Sequence, residues 1–151
     1  MTIEPVRRTV RVDCTPARAF ELFTDTIGRW WPLATHSLGG ERAVDVRFEP
    51  WEGGRLFEID ADGAESEWGT VRTWQPGRAL AFSWHVGRSP DLATTVTVTF
   101  SPTDDGRCAV ALEHRDWDAL GSEAAAVREG YASGWIGVLD CYLTFGASQA
   151  A

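Results

Sequence analysis

The chain of 151 residues contains no lysine and no asparagine, so all 14 of its basic side chains are arginines. Without lysine, a Schiff base, a P-loop and a Ser–Lys dyad are impossible. Cysteine is scarce too. Cys14, Cys108 and Cys141 are isolated, odd in number and without a CxxC pair. They read as small buried hydrophobes in a reducing cytoplasm, and they argue against a zinc site. No apolar run is long enough to span a bilayer, and Met1 to Arg8 lack the apolar stretch of a signal peptide. The net charge of −8 argues against nucleic acid, whose binding rests on clustered basic residues that neutralise phosphates. GxSxG, GxGxxG and HExxH are all missing, and the three histidines are too scattered for a metal site. Neither a metal nor a cofactor is expected, nor is a membrane partner.

What the chain does have is a succession of short strand-like segments followed by one long helical pattern. Thr9-Val10-Arg11-Val12-Asp13 alternates as a half-buried strand does. Thr15-Pro16 then supplies an N-cap and a proline at the first helical position, with Phe20, Phe23 and Ile27 at helical spacing. Trp30-Trp31-Pro32 closes this region, and 34–41 reads as a loop. In the next strand Val44, Val46 and Phe48 share one face, and Gly53-Gly54 turns the chain. Asp62-Gly63 and Asp105-Gly106 are hairpin signals, and Gln75-Pro76-Gly77-Arg78 suits a type II turn. Leu80, Phe82 and Trp84 alternate, then Val96, Val98 and Phe100, then Val110, Leu112 and His114. Such spacing makes an antiparallel meander.

From a cap at Ser122, Val127, Tyr131, Trp135, Val138, Tyr142 and Phe145 recur at helical steps, an apolar face for the sheet. Gly130, Gly134 and Gly137 interrupt that helix, each at a cost of roughly 1 kcal/mol against alanine. Either the helix approaches another backbone closely or it leaves room beside a cavity. One domain is expected over 1–147, with Ser148–Ala151 frayed.

Phe48-Glu49-Pro50, Gly53-Gly54-Arg55, Trp68-Gly69-Thr70-Val71, Ala81-Phe82-Ser83-Trp84, 94–100, 112–117 and Gly134-Trp135 together resemble the activator-of-heat-shock-protein-ATPase-like family. The resemblance covers nearly the whole chain and places it in the START-like (SRPBCC) superfamily. It implies an α+β helix-grip fold: a curved antiparallel sheet wrapped around a long C-terminal helix, with two short helices after the first strand. It also implies a hydrophobic cavity between sheet and helix, where relatives bind lipids or hormones, cyclise polyketides or sequester toxic products. The co-chaperone that names the family has an additional chaperone-binding domain in front, which is not seen here, so a chaperone partner is not expected. A homodimer stays open.

Eight tryptophans load this container. A buried aromatic hides about 150–250 Å², worth on the order of 4–6 kcal/mol. Each is either plain core or pocket wall, and cavity walls are also core. Trp84, Trp135 and Trp68 are the first candidates for the lining, with Phe48 and Tyr131 beside them and Trp30-Trp31 as a gate. His114 alternates inward with Val110 and Leu112. It either contacts ligand, as an orienting group or a general base, or is fixed by hydrogen bonds within the fold. His36 is a rim residue or simply exposed, and His85 is expected outside. Asp140 and Glu58 form no defensible acid pair, and Asp60 to Glu65 is a hairpin turn rather than a calcium loop. No catalytic constellation emerges. The expected function is binding of a small hydrophobic or aromatic molecule. The alternatives are a cavity enzyme of the cyclase, dehydratase or hydrolase type, or a chaperone-interacting module.

Overall fold

The computed structural model describes residues 3–149. Strand β1 (Val6–Val12) leads into helices α1 (Pro16–Thr24) and α2 (Ile27–Trp30). Six strands follow: β2 (Ala43–Phe48), β3 (Arg55–Asp60), β4 (Glu65–Gln75), β5 (Ala79–Trp84), β6 (Thr94–Pro102) and β7 (Cys108–Arg115). A 3-10 segment (Trp117–Glu123) then passes into helix α3 (Ala124–Gln149). All seven strands form one antiparallel sheet in the order β1-β7-β6-β5-β4-β3-β2. The sheet curls as a half-barrel around α3, with the two short helices after the first strand, which is the expected α+β helix-grip architecture. Of the segment expected to fray, Ser148 and Gln149 are helical, while Ala150 and Ala151 lie outside the described residues, as do Met1 and Thr2.

Local chemistry explains these boundaries. The Thr15 hydroxyl accepts from Arg18 N at 3.2 Å and Pro16 opens α1. Thr24 and Thr26 hydroxyls donate back to Phe20 O and Leu22 O, at 2.8 and 2.5 Å. These bonds compete with helical pairing where α1 breaks from α2. In the Gln75–Arg78 turn, Arg78 N donates to Gln75 O at 2.9 Å and Gly77 has φ 75°, as a type II turn requires. Gly69 is demanded by proximity: a Cβ there would lie 1.7 Å from Ser83 O on the neighbouring strand.

Four expectations are corrected. Val44 is 58% exposed and does not share the inward face of Val46, because a bulge between Ala43 and Asp45 rotates it outward. His85 is buried, not outside, since β5 ends at Trp84 and the following turn covers it. Ser122 is not the cap of α3. It lies in the 3-10 segment, just past Gly121, whose φ of 61° sets the kink before Ala124. The helix glycines make no close backbone approach: Cβ atoms at Gly130 and Gly137 would meet nothing within 4 Å, and both residues are exposed. Only Gly134 borders a hollow.

Candidate functional site

The space between sheet and α3 is largely filled by indoles. Trp31 packs against Trp68, Trp84 and Trp135 at ring-centroid distances of 5.2, 5.9 and 5.8 Å. Trp84 stands 5.5 Å from Trp68 and 5.7 Å from Trp135. Behind them Trp30 packs on Phe23 and Tyr142, each at 5.1 Å. Tilted and edge-on contacts of this kind add to the burial of apolar area. The container closes mostly on its own side chains.

His114 belongs to that filled interior. It is fully buried, and Trp135 Nε1 donates to its Nδ1 at 3.0 Å. An indole nitrogen can only donate, so Nδ1 is bare and Nε2 carries the proton. Nε2 then donates to Thr94 Oγ1 at 2.6 Å, and the Thr94 hydroxyl donates to Trp84 O at 3.2 Å. Trp117 stacks on the imidazole at 4.1 Å and donates from Nε1 to His114 O at 3.0 Å. Burial drives the imidazole pKa down to about 3, so the ring is neutral. Both nitrogens are occupied within the fold, and none of the ring reaches solvent.

At the mouth of the grip an apolar pocket of about 210 Å³ remains, between the loop after α2, the end of β5 and α3. Trp31, Trp84, Val86, Tyr131, Trp135 and Val138 wall it, and Thr35, His36, Ser37 and Gly134 complete its rim. Trp31 Nε1 donates to His36 O at 2.8 Å, and Trp84 Nε1 donates to the Tyr131 hydroxyl at 2.8 Å. His36 Nδ1 pairs with Thr35 Oγ1 at 2.7 Å. A Cβ on Gly134 would meet only His36 Nε2, at 3.9 Å, so this glycine keeps the wall open.

A buried carboxylate fixes the loop that carries this rim. Glu58, 2% exposed, accepts from Leu38 N at 2.7 Å, Gly39 N at 2.9 Å and Trp68 Nε1 at 2.7 Å. Three N–H donors solvate a charge that would otherwise be costly to bury. Ser37 Oγ adds a second tie, donating to Leu33 O at 2.5 Å and accepting from Gly40 N at 2.9 Å. Sequence reasoning left the direction of Glu58 open. Glu58 follows the alternation of β3, facing inward with Leu56 and opposite Val46. Phe57 lies on the other face and is buried there under the Arg55 guanidinium, 4.1 Å from its ring, which is what blurs the pattern.

Of the eight residues singled out from sequence, Trp31, Trp84, Tyr131 and Trp135 meet at the pocket. Trp30, Trp68 and His114 sit in the packed interior behind it. Phe48 instead borders an outer depression of about 340 Å³ between α2 and β2, lined by Asp25, Arg29, Asp45 and Arg47 among others. That depression is larger but charged and on the outside of the grip, so the apolar mouth is the better candidate. His36 is both exposed and at the rim, and Asp140 faces water. Among the described residues no three His, Cys, Asp or Glu side chains converge as a metal would need. The three cysteines are free, and burial pushes the Cys14 and Cys108 thiols up. No described helix is long and apolar enough to cross a membrane.

The family model described as Activator of Hsp90 ATPase homolog 1-like protein matches residues 13–143. Among curated proteins no significant match was found. Among solved structures, protein MLL2253 from Mesorhizobium loti superposes with a TM-score of 0.71 at 16% identity, covering 98% of this chain and 99% of that one. That likeness concerns the fold. CalC from Micromonospora echinospora, described as a self-sacrificing resistance protein, is 27% identical over 96% of this chain and 95% of its own, with a TM-score of 0.69. Txn09, an anthrahydroquino-gamma-pyrone synthase, is 32% identical over 83% of this chain and 85% of its own, with a TM-score of 0.59.

Proposed function

Because the chain belongs to the Activator of Hsp90 ATPase homolog 1-like protein family, we propose that it binds a small, flat aromatic molecule in the mouth pocket, in the cytoplasm. The observation that carries this reading is the wall itself: three indoles and a phenol around about 210 Å³, with polar groups only at Tyr131 and the rim. Ligand pockets are built this way, apolar with a few convergent polar groups. The volume favours one or two fused rings, since an apolar cavity of about 150 Å³ already takes benzene. Affinity comes from removing aromatic surface from water against indole faces.

The test is a tryptophan-fluorescence titration with one- and two-ring aromatics, repeated on Gly134→Phe, which plugs the pocket from the open side of α3. Saturable quenching in the parent protein, lost in a folded Gly134→Phe variant, supports the reading. Quenching that survives the plug overturns it.

A second reading, an enzyme using the same pocket, is favoured by the 32% identity to a synthase. His114 has no access to a substrate, so any proton transfer would fall to His36 or Tyr131. His36→Ala and Tyr131→Phe, made one at a time, separate the two: an enzyme loses turnover in one of them while still binding, and a carrier changes only in affinity. Docking on a chaperone would need a contiguous apolar patch of several hundred Å². Its candidates among the described residues are the exposed Leu38, Val44, Trp51, Leu92 and Ile136.

A further inference from the structure

The hydrogen-bond inventory of the pocket goes one step further than its shape. Three indole N–H groups surround it, and all three are used inside the protein. Trp31 donates to His36 O, Trp135 to His114 Nδ1 and Trp84 to the Tyr131 hydroxyl. The Ser37 hydroxyl is likewise given to Leu33 O. Tyr131 differs. Its oxygen accepts from Trp84 at 2.8 Å, and an indole can only donate, so the phenolic proton must point elsewhere. Among the described residues it has no acceptor. The ring is held on its other side by His114 and Trp117, at centroid distances of 5.0 and 5.7 Å, which fixes where the hydroxyl sits. The apolar wall therefore contains one oriented, unspent donor, and the other free polar group, His36 Nε2, belongs to the exposed rim.

Charge narrows the partner. No arginine lines the pocket, its one histidine, His36, stands on the exposed rim and not in the wall, and the chain as a whole carries −8. A carboxylate or sulfonate bound here would be desolvated without a counter-ion, at a cost that one phenol does not offset. A neutral carbonyl oxygen takes the proton without that penalty.

Resting on the reading that this pocket takes an aromatic ligand, we propose that the ligand is an uncharged aryl carbonyl compound and that Tyr131 selects it by donating to the carbonyl oxygen. Tyr131 is then a specificity residue, positioned by Trp84.

The experiment pairs 2-acetylnaphthalene with its isosteric hydrocarbon, 2-isopropenylnaphthalene. Binding is followed through the ¹H–¹⁵N signals of the Trp31, Trp84 and Trp135 indoles, in the parent protein and in Tyr131→Phe. The parent protein is expected to bind the ketone at least as tightly as the hydrocarbon, although the ketone is the better solvated in water. In Tyr131→Phe the ketone-to-hydrocarbon affinity ratio is expected to fall about five- to tenfold, the worth of one neutral hydrogen bond. An unchanged ratio overturns the proposal and leaves the pocket reading standing. So does a parent protein that prefers the hydrocarbon by about tenfold or more, a comparison that holds even if the variant does not fold. If neither probe moves the pocket indoles, the pocket reading itself fails and the proposal with it.

Discussion

Two histidines of this fold behave in opposite ways. His114, fully buried, has a donor on one nitrogen, an acceptor on the other and a tryptophan stacked on its face. His36, exposed at the mouth, has one nitrogen tied to Thr35 while the other faces the gap across from Gly134. The same side chain is a strut in one place and an available group in the other. What separates them is saturation of hydrogen bonds, not residue type. The same contrast divides the aromatic residues: Trp68 and Trp117 are interior packing, while Trp31, Trp84, Tyr131 and Trp135 are wall.

The largest effect is expected where the interior is opened. His114→Ala leaves Trp135 Nε1 without an acceptor, Thr94 without a donor and a hole beside Trp117. A loss of about 3–5 kcal/mol is expected in urea unfolding. A loss near zero would erase the contrast between the two histidines. The parent protein should also weaken in acid through this group. The unfolded chain takes up the proton near pH 6.5 and the folded one only near pH 3, so the unfolded state binds more protons in between. The contribution of His114 is complete above about pH 6.5 and is lost as the pH falls towards 3. Its ceiling is on the order of 5 kcal/mol, at about 1.4 kcal/mol per pH unit. His114→Ala should flatten the stability profile across that window.

Next comes the tie between interior and mouth. Glu58→Gln sets an amide N–H₂ against N–H donors that now share a carboxylate. A loss of about 2–3 kcal/mol is expected, with faster hydrogen exchange at the Leu38 and Gly39 amides than in β6. Slow exchange at both amides would show that the loop is held by something other than this carboxylate. The α3 glycines sharpen the comparison further. Gly130→Ala and Gly137→Ala should each raise stability by about 0.5–1 kcal/mol without touching ligand affinity. Gly134→Ala should gain as much, yet weaken binding, because its methyl faces His36 across the pocket. The smallest stability effect belongs to His36→Ala, within about 0.5 kcal/mol by thermal melting.

The fold was legible because its signals are local. Alternation in β5, β6 and β7, Thr15-Pro16 before α1, and Gly77 in its turn each point to the element that forms. Legibility stopped where a bulge adds a residue or where an apolar side chain is buried on the outer face. Val44 turned outward at its bulge, which period-two reading has no term for, and Phe57, buried under Arg55 on the outer face, masked the alternation that turns Glu58 inward with Leu56. In the site, the aromatic character of the walls could be read, but not which of the three glycines of α3 borders the pocket. Which tryptophan is wall and which is packing could not be read either. That depends on neighbours brought from β3, β5, α3 and the loop after α2, and on whose N–H each side chain satisfies.

The most direct test of the account is to locate a bound probe by intermolecular NOEs, using 2-acetylnaphthalene and the full chain. The account predicts contacts to Trp31, Trp84, Tyr131 and Trp135, with none to Trp68 or Trp117. Contacts to Trp68 and Trp117 would contradict it, because the packed interior would then be the binding cavity and His114 would line it. Contacts only at the outer depression beside Arg29 and Arg47 would contradict it equally.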